Sequence, residues 1–286
     1  MEAAVQITFF SRYFHMRSAF LVGALCLSSA FAYEASERMA LAPHQSVEQR
    51  FNALRHNDTR AFLRTMFSDD QVAELSSKWD DQRRETPNEA ESAQFAQTMQ
   101  MLTASGAEAT LMGMVKPQLD EMRPQVQMMV GMFSGMISSS IQADENLSSD
   151  EKKKAARLVQ AFGDFLSEND LTSEESAKEA IAVVCSTARK LGLNTLKDVQ
   201  SMDFGQALRK ADILMAGMKN LFNVYGINFD EWIDSVNIET ISENGDKATV
   251  RVHYEVFGIK DSVDEELVRK GARWISTKAE DALSGN

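Results

Sequence analysis

Three acidic side chains, Asp230, Glu231 and Asp234, flank Trp232 in the stretch NFDEWIDS, and His253 follows further along the chain. A carboxyl beside an aromatic ring can be shifted toward neutrality and, with an imidazole in reach, act as a general acid or base. Asp230 or Asp234 with His253 is therefore the combination through which a small-pocket enzyme would work. The competing reading is that the carboxylates are solvated charges at the end of a short helix. His253, which alternates with Arg251 and Glu255 opposite an aliphatic face, then points to water. A second chemistry is soft-metal binding: Met128, Met132 and Met136 fall at successive turns of one helical face, and thioethers suit cuprous ion. Such sites usually add histidine or cysteine, and none lies between His56 and Cys185. Methionine also fills irregular gaps between helices, so no metal is expected and copper binding is only an alternative.

Other candidates for chemistry are few. His15 and His44 precede the folded region, and His56 sits at a helix end, where an imidazole can meet terminal carbonyls. Cys185 has apolar neighbours at helical spacing in AIAVVCSTA and no nearby base, which predicts a buried, inert thiol. There is no glycine-rich phosphate loop, no His-Glu-x-x-His and no serine elbow. The leading expectation is a non-catalytic module that binds an unidentified protein or small ligand without a cofactor. Its pocket would lie between a sheet and the helices at 46–67 and 204–225, with Trp232, Tyr254 and Trp274 as candidate binding aromatics.

The element that must position these groups is a C-terminal sheet. In 236–241, Val236, Ile238 and Thr240 share one face, and in 247–256 Ala248, Val250, Val252 and Tyr254 do the same. A three-residue loop, Glu243-Asn244-Gly245, would pair Ile238 with Val250 and Val236 with Val252 and keep the faces together. Lys270-Gly271 predicts a second tight turn and a four-stranded meander. Trp274, on the last strand, should cover the aliphatic face and meet the first helix near Phe51.

Everything between the leader and the sheet reads as helix. Ser46 with Gln49 predicts a cap for 46–58, with Val47, Phe51 and Leu54 on one face. A short helix at 59–67 and one starting at Ser68 follow, then a charged connection over 78–92 that contains Pro87. Pro117 and Pro124 should divide the methionine-rich stretch from Ala93 to Ala143 into separate helices. Its last piece, 124–143, has no charge and carries Gly131 and Gly135 four residues apart. That composition predicts a buried or self-associating helix, with a partner-binding face as the minority reading. Ser148 with Glu151, Thr172 with Glu175 and Thr195 with Asp198 mark later helix starts, and Gly226 ends a helix from Phe204. The sum is an α+β fold, a mostly helical body packed on a small antiparallel β-meander.

The first 32 residues read as a signal peptide. Arg17 precedes an uncharged run that closes on Ala30-Phe31-Ala32, the small-x-small pattern cut by signal peptidase, and Met16 is an alternative start to Met1. The apolar run is shorter than the roughly 20 residues a span requires, so no stable membrane span is expected after cleavage. The mature chain would begin at Tyr33 with a polar tether over 33–45, and 46–286 would form a single domain with a helical insertion at about 86–195. Removing Glu2, Arg12 and Arg17 takes the formal charge from −12 to −13, which repels nucleic acid. Cys185 alone remains, so no internal disulfide forms, and a cysteine-poor exported chain fits a bacterial periplasm.

The segment SVEQRFNALRHNDTRAFLRTMFSDD resembles the opening of NTF2-like, SnoaL-type domains, and VNIETISENGDKATVRVHYEV with VRKGARWIST resembles their closing strands. The resemblance implies helices cradling a bent sheet around a pocket, used by some members for binding and by others for catalysis. The helical stretch from Thr86 to about Thr195 departs from the family, and no family catalytic residue maps onto this chain.

Overall fold

The computed structural model describes residues 41–144 and 148–278; the expected signal peptide and tether residues 33–40 lie outside them. The alternating stretch forms β1 (Asn237–Asn244), β2 (Lys247–Val256), β3 (Ile259–Lys270) and β4 (Arg273–Ser276), an antiparallel meander in the order β1-β2-β3-β4. The first hairpin departs from the expected loop. Its turn is Gly245-Asp246, with Gly245 at φ +58°, and the extra residue is a bulge at Ile241 inside β1. Ile238 therefore pairs with Val252 and Thr240 with Val250, rather than Ile238 with Val250. The bulge does the work expected of the loop, since one inserted residue restores the match of apolar faces. The last turn is Gly271-Ala272, one residue beyond the expected position.

The middle hairpin turns at Phe257-Gly258, with positive φ at both residues (49° and 72°) as a type I′ turn requires. An aromatic residue is uncommon there. Its ring lies 5.3 Å from that of Phe162 and 5.1 Å from that of Phe165, so burial against these two rings offsets the backbone strain.

The first helix, α1 (Pro43–Arg55), begins three residues before the expected Ser46, because Pro43 at the first turn fixes a helical φ and Gln45 accepts from the Ala42 N–H. Ser46 is freed from capping: it is buried, and its Oγ accepts from the Trp274 backbone N–H. Asn57 at φ +55° stops α1, and Asp58 caps α2 (Thr59–Met66) through the Ala61 N–H. Helix α3 (Asp69–Gln82) carries Trp79 into a core of Leu63, Leu75, Met202, Phe204, Ala207, Leu208 and Ala211. The expected charged connection shrinks to 83–88, since α3 runs to Gln82 and Asn88 caps α4 (Glu89–Thr103).

Helix α5 (Ala107–Met122) continues through Pro117, contrary to the break expected there; the chain divides at Gly106 and, as expected, at Pro124, which lies in the 3₁₀ turn Arg123–Gln125. Helices α6 (Val126–Ala143) and α7 (Ser149–Glu168) follow, the latter with the expected Ser148–Glu151 capping box. Next come α8 (Glu174–Leu191), capped by Ser173 rather than Thr172, and α9 (Leu196–Ser201) with the expected Thr195–Asp198 box. Helices α10 (Phe204–Val224) and α11 (Phe229–Ser235) lead into the sheet. The close approach of α8 and α10 depends on Gly217, where an added Cβ would lie 2.5 Å from Thr187 Oγ1. Among the described residues, no helix is long and apolar enough to cross a membrane.

Candidate functional site

A groove opens where α1, α11 and β1 meet. The same α1 that seals the sheet with Val47 presents Phe51, Asn52, Arg55 and His56 to it, because helical spacing divides the helix between two faces. Leu41 and Phe51, with Ile233 of α11, Val236 and Ile238, form an apolar floor. Gln45, Glu48, Gln49, Asn52, Arg55 and His56 form a polar rim, and the volume is about 690 Å³. That size, with an apolar floor and a few convergent polar groups, suits a small amphipathic ligand or a peptide segment. An aromatic row backs the floor: Trp232 meets Phe51 edge-on at 6.1 Å and Phe229 at 6.1 Å, and Phe229 packs on Phe222. The His56 Nδ1–H donates to the Asn52 carbonyl at 2.9 Å, and His44 Nδ1 lies 3.1 Å from Thr240 Oγ1.

Asp230, Asp234 and His253 do not converge here. Lys219 Nζ donates to Asp230 at 2.6 Å and to the Arg55 carbonyl at 3.0 Å, and Asp234 accepts from the Arg55 guanidinium. The two carboxylates thus tie α11 to α10 and α1. His253 lies on the opposite face of the sheet, where its Nε2 is 3.0 Å from Glu239, beside an Arg251–Asp264 pair that is bidentate. Each group has its own partner, and none lines the groove.

The candidate aromatics separate as well. Trp232 is not a lining residue of the groove and packs edge-on against Phe51, which is. Tyr254 is half-buried on the inward face opposite Asp261. Trp274 is buried in the layer under the sheet: it is 1% exposed among Val47, Ala248, Val250, Val252 and Leu267, with Phe51 at the margin. Its indole N–H donates to the Leu41 carbonyl at 3.0 Å, and the Arg269 guanidinium lies 5.5 Å from its ring. The expectation that it covers the aliphatic face and meets the first helix matches this placement.

The methionine row is not buried. Met128, Met132 and Met136 are 60%, 69% and 59% exposed. Among the described residues, no group of three or more His, Cys, Asp or Glu is placed to hold a metal ion. Cys185 is fully buried, and burial, followed by the nearby Glu108 carboxylate, pushes its pKa above that of an ordinary thiol. The protonated form is favoured, so the group is a poor nucleophile.

The sequence reading missed an ion pair inside the sheet's covered face. Arg50 of α1 donates from one terminal nitrogen to both oxygens of Glu265 at 2.7 and 2.8 Å, with side chains 9% and 16% exposed. Two signals mark it: Arg50 lies three residues after Val47 on the same helical stripe, and Glu265 alternates with the buried Leu267 on β3 and pairs with the buried Val250 of β2. A second pair missed by the reading, Lys154–Asp261 at 2.7 Å, joins α7 to β3, and the ammonium holds the Asp261 carboxyl below its usual pKa.

Comparison of the chain with protein-family models, curated proteins and solved structures gives no match.

Proposed function

We propose that this protein is an exported, non-catalytic binding module whose ligand occupies the groove between α1, α11 and β1. The observation that carries the proposal is the groove itself: about 690 Å³, floored by Leu41, Phe51, Ile233, Val236 and Ile238 and rimmed by amides and charged groups. An apolar floor supplies area-dependent affinity, while the rim orients a polar head or a peptide backbone. The enzyme alternative loses its warrant because Asp230, Asp234 and His253 are engaged by Lys219, Arg55 and Glu239 respectively. Export is supported by the leader pattern at 17–32, and a pocket beside the sheet fits the resemblance to NTF2-like domains.

The test is a thermal-shift panel of amphipathic small molecules and short peptides against the protein and its Ile238→Glu variant. A ligand that binds only the folded state raises the melting temperature by mass action. A panel member should raise it in the native protein and not in the variant, whose new carboxylate charges the floor. An equal shift in both would remove the groove from the account, and chemical turnover of the bound molecule would replace the binding reading with an enzyme.

A further inference from the structure

Helix α6 has two apolar faces, and the other described residues cover only one of them. Val130, Ser134, Ile137 and Ile141 are half-buried on the side that packs along α7, where Gly163 lets Ser134 Oγ approach to 3.0 Å of an added Cβ. The other side presents Met128, Met132, Met136, Met129 and Phe133, all between 47% and 69% exposed. A helix at the surface of a monomer normally carries charge on its outer face. From Val126 to Ala143 there is no Asp, Glu, Lys or Arg.

The outer face also contains Gly131 and Gly135, and a Cβ at either would meet nothing within 4 Å. Glycine inside a helix costs roughly 1 kcal/mol relative to alanine. Among the described residues, nothing packs closely enough to require glycine at these two positions. A neighbouring backbone approaching closely from outside would require it.

We propose that the outer face of α6 is the contact between two copies of this chain, with the Met128–Met132–Met136 ridge of each copy seated along the Gly131–Gly135 groove of the other. Ridge and groove run side by side at the same four-residue spacing, which is the self-complementary pattern a two-fold helix pair needs. Charge places the contact on this face. The chain carries a formal −12, so most surfaces of two copies repel, and this uncharged face brings them together without desolvating an ion. A basic partner would be drawn to the acidic surface instead. The inference is independent of the groove at α1.

Sedimentation equilibrium on the purified protein tests it, alongside a Gly131→Ala/Gly135→Ala variant and a Met132→Glu variant. The native protein should show a concentration-dependent monomer–dimer equilibrium. The alanine variant should dissociate at least about tenfold more readily, while the melting temperature of its dilute monomer stays level or rises, because alanine is the better helix former and has room. Met132→Glu should be monomeric and folded. Three outcomes would overturn the proposal: a native protein that stays monomeric at its highest soluble concentration, a dimer indifferent to both variants, or an α6-dependent attachment of the monomer to phosphatidylcholine vesicles.

Discussion

The sheet end and the α6–α7 hairpin spend apolar residues in opposite ways. At the sheet, Val47, Val250, Leu267 and Trp274 are almost fully covered within one chain, and the two Trp274 N–H groups and one terminal nitrogen of Arg50 have internal partners in Ser46, Leu41 and Glu265. On α6, five large apolar side chains face outward, and the hairpin meets the sheet through the Phe162–Phe257–Phe165 rings and the Lys154–Asp261 pair. The layer under the sheet is closed within one chain; α6 carries apolar surface that the other described residues leave uncovered. Substitutions at the first should be read out as stability, and substitutions at the second as association.

The largest effect should come from Trp274→Ala. Truncating a buried aromatic costs about 3–5 kcal/mol, and here it also strips the donor from the Leu41 carbonyl; urea unfolding would measure it. A Trp274→Ala protein that unfolds at the native midpoint would mean the sheet end is no better sealed than α6. Next comes Arg50→Met, which leaves Glu265 charged beneath the sheet and should cost about 3 kcal/mol. The double variant Arg50→Met/Glu265→Leu should recover most of that, since a buried pair replaced as a whole is nearly neutral. A double variant as unstable as the single one would show that the pair, not the removal of its charge imbalance, holds α1 to β3.

A third prediction concerns α5, the helix leading into α6. Arg189 clamps Glu108 at 2.6 and 3.0 Å, and Lys116 and Lys178 engage Glu174, so both helix contacts run from α5 to α8 or within α8. These partners lower the pKa of each carboxyl from 4.5 to about 2. A depressed folded-state pKa contributes stability that is present above the unfolded value and lost as pH falls through the folded one. Melting temperature should therefore fall between pH 4.5 and 2, and fall less steeply in Glu108→Gln/Glu174→Gln. Both groups are solvated, so the difference is small, and parallel profiles would show that the clamps contribute nothing. The smallest effect should be Met132→Ser in dilute solution, within about 0.5 kcal/mol of the native stability. A larger loss would place Met132 in the chain's own core.

Much of this contrast was legible in the sequence. Ser148 with Glu151, Thr195 with Asp198 and Gly226 marked helix ends because cap chemistry is local. Alternation in 247–256 gave the covered face, and Trp274 followed from it. The bulge at Ile241 was not legible, since a two-residue turn plus a bulge and a three-residue loop satisfy the same pattern of faces. Pro117 was read as a break, yet a proline costs one donor and one clash that a long helix with other contacts can tolerate. Ser46 looked like a cap because its tertiary partner, the Trp274 N–H, is remote in sequence. The groove at α1 lies beside the sheet with α11 as its wall, where the expected pocket had α10, and Asp230, Asp234 and His253 each found a nearer ion partner than one another. The uncharged composition of α6 was plain; which of its faces the chain itself would cover depended on α7.

The contrast is tested most directly by limited hydrogen peroxide oxidation followed methionine by methionine at several protein concentrations. Met128, Met132 and Met136 should oxidise quickly in dilute protein and become protected as concentration rises, while Met99, Met112 and Met202, each under 10% exposed, resist throughout. Equal oxidation of the α6 methionines at every concentration, or oxidation of Met112 alongside them, would contradict it.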